Sequence, residues 1–139
     1  MKHVLVPLDG SDQAWNALDY AAEEFPTATI TVLHVIDPVE AGYTATASVP
    51  GYTEQWYEQA QDRAEDLFES AAGRAEDASL ETETEVGRPS TVIVQFAEEN
   101  DVDQIVMGSH GRSGVSRILL GSVAETVVRR SPVPVTIVR

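Results

Sequence analysis

The sequence predicts one α/β domain, a mostly parallel sheet with helices on both faces. Three observations lead there. Strand-length apolar runs alternate with helix-period segments along the 139 residues, giving five strands with four helices between them. Several of the strand runs are continuously apolar, the pattern of strands covered on both sides. The chain is long enough to bury one sizeable core, and it has no cysteine to staple anything smaller.

The elements follow in order. His3 to Leu8 is an unbroken apolar strand. Asp9 to Asp12 is a turn in which Ser11 or Asp12 can cap the next helix. Trp15, Leu18, Ala22 and Phe25 form that helix's stripe, and Pro26 stops it. Thr29 to Ile36 is a β-branched strand ended by Asp37 and Pro38. Residues 38–53 have no period and read as one long, variable loop, of a length that usually serves as lid, interface or mobile segment. From Thr53 to about Ala78 a helix carries the stripe Trp56, Ala60, Ala64, Leu67, Ala71 and Ala75. Thr82 to Val86 alternates like an edge strand with one wet face. Pro89 suits the first turn of a helix bearing Val92, Ile93, Phe96 and Ala97. Asp103 to Met107 is the fourth strand. Ser122 to Arg130 is the last helix, with Val123 and Val127 facing inward and Arg129 and Arg130 complementing the dipole at its end. Pro134 to Val138 is the final strand.

Composition narrows the function classes. There are 23 acidic residues against 9 basic ones, a net charge of −14, and Lys2 is the only lysine. Such a chain repels nucleic acid and anionic membrane. The lysine-poor acidic balance is that of a halophilic protein, kept soluble in a high-salt cytoplasm; an ordinary acidic protein is the alternative. The amino terminus enters a short apolar run broken by Pro7, too short for a signal peptide, so a cytoplasmic location is expected. Charge is also uneven. Eleven acids lie between Glu54 and Glu85, most simply a solvated helix face, whereas Gly108 to Arg139 holds five arginines and only Glu125.

That basic region contains the segment around which the chain is organised. After the strand ending at Met107 come Gly108, Gly111 and Gly114, a short apolar run, and then Gly121 and Ser122 at a helix start. Glycines let backbone approach an anion, and the first N–H groups of a helix point at it. The spacing G-x2-G-x9-G-S is neither the Walker nor the Rossmann fingerprint. In an open α/β sheet, ligands sit at the carboxyl ends of strands where the order reverses. If the first and fourth strands are neighbours, Pro7, Asp9 and the glycine loop face one crevice.

The chain resembles the universal stress protein family in its ATP-binding subclass, over its whole length as a single domain. The resemblance is carried by Val6 to Ser11, His34 to Asp37, Met107 to Arg112, Leu119 to Val123 and the terminal run to Val138. It implies an adenine nucleotide alpha hydrolase-like, Rossmann-like sheet of order 3-2-1-4-5 and a homodimer formed through the last strand, Val133 to Val138. It also implies ATP, with Mg²⁺, in the crevice. Asp9 would lie by the ribose and near nucleotide-bound Mg²⁺, and Val35 would offer backbone groups to the adenine edge. Gly108 would flank the ribose, and Gly111, Arg112, Gly121, Ser122 and Val123 would cradle the phosphates. Pro7, Met107, Ser109 and His110 complete the expected nucleotide-binding set.

Plainer readings stand beside these. Asp9 could be a turn residue, Gly121 a packing glycine, Ser122 an N-cap and Arg112 a surface charge. His110 reads as a hydrogen-bonding group before a general base, and His3 and His34 as structural. Trp15 and Trp56 read as core or interface residues. With one carboxylate and no activated water in view, the residues fit holding ATP with little turnover, in a stress-response or regulatory role, and no catalytic residue is assigned. A slow ATPase or nucleotidyl-transfer enzyme, and a nucleotide-free dimeric interaction module, are the alternatives.

Overall fold

In a parallel sheet covered on both faces, successive residues of each strand feed opposite layers, and that alternation sorts this chain. The computed structural model describes residues 2–38, 52–110 and 120–139. The strands are β1 (His3–Pro7), β2 (Thr29–Ile36), β3 (Ser79–Val86), β4 (Gln104–Gly108) and β5 (Val135–Val138). The helices are α1 (Asp12–Glu24), α2 (Tyr52–Arg74), α3 (Pro89–Glu99) and α4 (Ser122–Arg130). All strand pairs are parallel, in the order β3-β2-β1-β4-β5. The expected fold class and strand order are therefore observed.

Val4, Val6, Ile30, Val32 and Val106 point to one side, where Ala14, Ala17, Leu18 and Ala21 of α1 and Ala71 of α2 cover them. Leu5, Leu33, Ile105 and Met107 point to the other, beneath Ile93, Phe96 and Ala97 of α3 and Ala124 and Val127 of α4.

One helix face and two boundaries differ from expectation by more than a residue. The buried face of α1 is Ala14, Ala17, Leu18 and Ala21, while Trp15, Ala22 and Phe25 lie half-buried beside it. Small residues face the sheet because the helix sits close: a Cβ on Gly108 would lie 2.8 Å from Gln13 C and 3.0 Å from Ala14 N. Helix α2 ends at Arg74 and not near Ala78, and β3 begins at Ser79 and not at Thr82. Pairing with β2 from Thr29↔Ser79 to Ile36↔Val86 recruits Ser79, Leu80 and Glu81, a long-range effect that local propensity does not carry. Of the long loop, residues 39–51 lie outside the described residues.

The two edges of the sheet differ. On β3, Glu81, Glu83 and Glu85 are exposed on one face of the outermost strand. On β5, Val135, Thr136, Ile137 and Val138 are half-exposed and uncharged.

Candidate functional site

The crevice begins where backbone pairing stops. Strand β1 pairs with β4 at Val4↔Gln104 and Leu5↔Ile105 only. The next rung would run from the N–H of residue 7 to Val106 C=O, and Pro7 has no N–H to give. On the other side β1 follows β2 as far as Pro7↔Leu33, with a last bond from Leu8 N–H to Leu33 C=O at 2.8 Å. Beyond Pro7 the sheet is therefore open between β2 and β4. This is the point at which the strand order reverses, the usual ligand position of open α/β sheets.

The turn from β1 into α1 is built to hold one carboxylate. Leu8 is pinned at both ends of its residue, its N–H on Leu33 and its C=O accepting from His34 Nδ1 at 2.8 Å. Asp9 Oδ1 accepts from Ser11 N–H at 2.9 Å and from Ser11 Oγ at 2.6 Å. Gly10 between them takes φ +87°, which an L side chain resists. Ser11 Oγ also accepts from Ala14 N–H at 3.2 Å, which makes Ser11 the N-cap of α1. The turn reading of Asp9 and its position on the cleft are thus both true.

Across the crevice lies the end of β4. Ser109 N–H donates to Val138 C=O, and Ser109 C=O accepts from Gly121 N–H, each at 2.8 Å. These two bonds seat the start of α4 against the sheet. Gly121 is the N-cap, with φ −65° and ψ 162°, so Ser122 is the first helical residue and not the cap. The first ladder bond runs from Glu125 N–H to Gly121 C=O. Ser122, Val123 and Ala124 consequently have N–H groups with no acceptor inside the helix, and all three residues line the cleft.

The cleft encloses about 160 Å³, several times the roughly 30 Å³ share of one water, and is no packing defect. Pro7, Asp9, Val35, Met107, Gly108, His110, Gly121, Ser122 and Val123 line it, so the structure brings these expected site residues together. Ser109 does not line it; its backbone is committed to Val138 and Gly121, and its Oγ lies 3.1 Å from His110 Nδ1. Gly111 and Arg112 lie outside the described residues. His3 is structural, bonded to Thr31 Oγ1 and Asn100 C=O.

Sequence reasoning passed over Leu33, Ile93 and Ala124, which form the apolar floor, as well as Ser11 and His34. Apolar lining carries no signal separate from core. His34 does carry one: it interrupts a β-branched run near the strand's carboxyl end, and it is buried on the cleft with its ring on Leu8. Among the described residues no group of three or more His, Cys, Asp or Glu side chains could hold a metal ion, and no helix is long and apolar enough to cross a membrane.

Comparison with known proteins agrees with this geometry. Universal stress protein MJ0531 of Methanocaldococcus jannaschii is 35% identical over 144 residues, covering 99% of this chain and 82% of that protein. The solved structure of MJ0577 from the same organism superposes with a TM-score of 0.85 at 33% identity, covering 99% of this chain and 94% of that one. A universal stress protein from Archaeoglobus fulgidus, solved in complex with dAMP, gives 0.68 at 26% identity, covering 100% and 98%. Another, solved in complex with cAMP, gives 0.66 at 28% identity, covering 99% and 96%. The universal stress protein family model matches residues 1–139. The chain belongs to the universal stress protein family.

Proposed function

We propose that this chain binds an adenine nucleotide in the cleft between β2, β1 and β4, that the nucleotide is ATP carried with Mg²⁺, and that it is held with little turnover. One juxtaposition supports the reading most. Backbone groups of Val35 past the end of β1 and the N–H row of Ser122 to Ala124 border the same cleft. The first suits a base edge, and the second suits phosphate. The dAMP and cAMP complexes of relatives in the same fold support the adenine base.

In this reading Asp9 meets the ribose, and the α4 N-terminus with Gly121, Ser122 and Val123 receives the phosphates. Gly111 and Arg112 extend that cradle. Mg²⁺ would neutralise phosphate charge. Asp9 is the one acidic side chain among the described residues lining the cleft, and its Oδ1 already serves Ser11. It fits a metal held mainly by the phosphates. A single carboxylate also supports storage or signalling over rapid phosphoryl transfer, which ordinarily assembles several charged groups.

We further propose a homodimer through β5 and the residues before it, Val133 to Val138, since that edge leaves half-exposed apolar residues and open backbone groups. A monomer in sedimentation at both low and molar salt would remove the dimer.

Mass spectrometry of the freshly purified, denatured protein tests the nucleotide. Co-purifying ATP is expected. ADP or AMP accumulating on incubation with ATP and Mg²⁺ would replace storage by turnover, and no nucleotide together with no thermal shift on adding ATP would refute the reading.

A further inference from the structure

The crevice has two walls, and only one is explained by Pro7. On the β2 side the parallel ladder runs from Leu33 C=O to Leu8 N–H. Its next rung would be Val35 N–H to Leu8 C=O, because residues 33 and 35 present their backbone groups to the same side. That rung is not made. Leu8 C=O accepts from the buried His34 ring at 2.8 Å. The partner is a carbonyl, so Nδ1 must carry the hydrogen.

We infer that His34 is the positioning residue that ends the β1–β2 ladder and thereby keeps Val35 N–H and C=O open to the ligand. It supplies Leu8 with the donor that Val35 would otherwise provide. A buried carbonyl with no donor is costly, so without the imidazole Leu8 C=O recruits the nearest N–H, which is that of Val35. The inference rests on the nucleotide reading for its consequence. An exposed N–H beside a C=O complements the N1 acceptor and N6 donor of adenine, and it mismatches a base with N1–H and a 6-oxo group. His34 therefore governs base selectivity without touching the base.

The test uses the full chain and three substitutions. In His34→Asn the carboxamide nitrogen occupies the Nδ1 position. In His34→Gln it reaches toward Nε2, and His34→Leu has no donor. The first readout is amide exchange at Val35 without nucleotide. The parent and His34→Asn should exchange rapidly there, and His34→Leu and His34→Gln slowly. The second is the affinity ratio for ATP over inosine triphosphate, which should fall about tenfold in His34→Leu, the worth of one well-made hydrogen bond, and be restored in His34→Asn. Should His34→Leu fail to fold, His34→Gln against His34→Asn makes the same comparison.

Slow exchange at Val35 in the parent, or equal exchange and equal selectivity across the three variants, would overturn the role of His34. A parent that binds neither nucleotide while Val35 follows the expected exchange pattern would refute the nucleotide reading and leave the ladder-ending role standing.

Discussion

Replacing Gly108 by alanine tests how tightly the site is tied to the fold. The added Cβ would stand 2.8 Å from both Gln13 C and Gln13 Cβ and 3.0 Å from Ala14 N, in the first turn of α1. Carbon atoms settle at about 3.5–4.0 Å, so α1 must retreat by about 1 Å or the end of β4 must bend. Neither is easy, because Ala14, Ala17, Leu18 and Ala21 are packed on the sheet with at most 4% exposure. Overpacking of this kind costs about 1–3 kcal/mol, a fall in melting temperature of roughly 3–5 °C per kcal/mol at this chain length. The Asp9 turn is bonded to Ser11, which caps α1, so it should move with the helix. ATP affinity should weaken about fivefold, the equivalent of about 1 kcal/mol. Urea unfolding and calorimetric titration measure the two effects. Gly73→Ala in α2 is the control: its Cβ meets nothing within 4 Å, and it should stabilise by about 0.5 kcal/mol. A Gly108→Ala protein that unfolds with the parent would refute the close seat of α1. One that is destabilised but binds ATP normally would refute its coupling to Asp9.

Three further outcomes are expected. Gly121→Val should abolish ATP binding while the nucleotide-free protein melts within a few degrees of the parent, because φ −65° and ψ 162° suit any residue and Gly121 lines the cleft, where added bulk would compete with the ligand; unchanged affinity in a thermal-shift titration would remove Gly121 from the phosphate site. Ser11→Ala should lower the urea midpoint by the equivalent of about 1–2 kcal/mol with unchanged m, having lost the cap on Ala14 and a donor to Asp9. Arg74→Ala should cost no more than about 2 kcal/mol, since its 2.7 Å bridge to Asp19, nearly half exposed on both sides, and its stacking on Trp15 at 5.1 Å are each worth at most about 1 kcal/mol. The hydrogen bond to Asp19 raises the Arg74 pKa, so any contribution is full below the ordinary arginine value and lost only as pH climbs above it. Melting of this variant relative to the parent should therefore not change between pH 6 and pH 9 on account of Arg74.

Much of the fold was legible because burial on both faces writes strands as unbroken apolar runs, as from His3 to Leu8 and from Thr29 to Ile36. Ser11 as a cap and Pro89 in a first turn followed from local chemistry and are observed. What local chemistry misses is decided by partners distant in sequence. Ser79 to Glu81 became strand because β2 offered them a register. The face that α1 buries was set by how closely β4 lets it approach. Gly108 looked like a glycine kept for a ligand, and its missing Cβ is first required by α1. Val35 and Asp9 fell on the cleft as expected, yet His34, one position away from Val35, was read as plain structure because its effect runs through the carbonyl of Leu8.

The unequal edges of the sheet set a limit on assembly. Strand addition can propagate without end only when each copy offers two receptive borders. Here β5 is receptive, but the outer border at β3 carries Glu81, Glu83 and Glu85 in exposed positions, and approaching strands with such a row must bring charge against charge or strip it of water. A copy that pairs along β5, as proposed above, leaves a guarded border outward, so growth by strand addition should end at two.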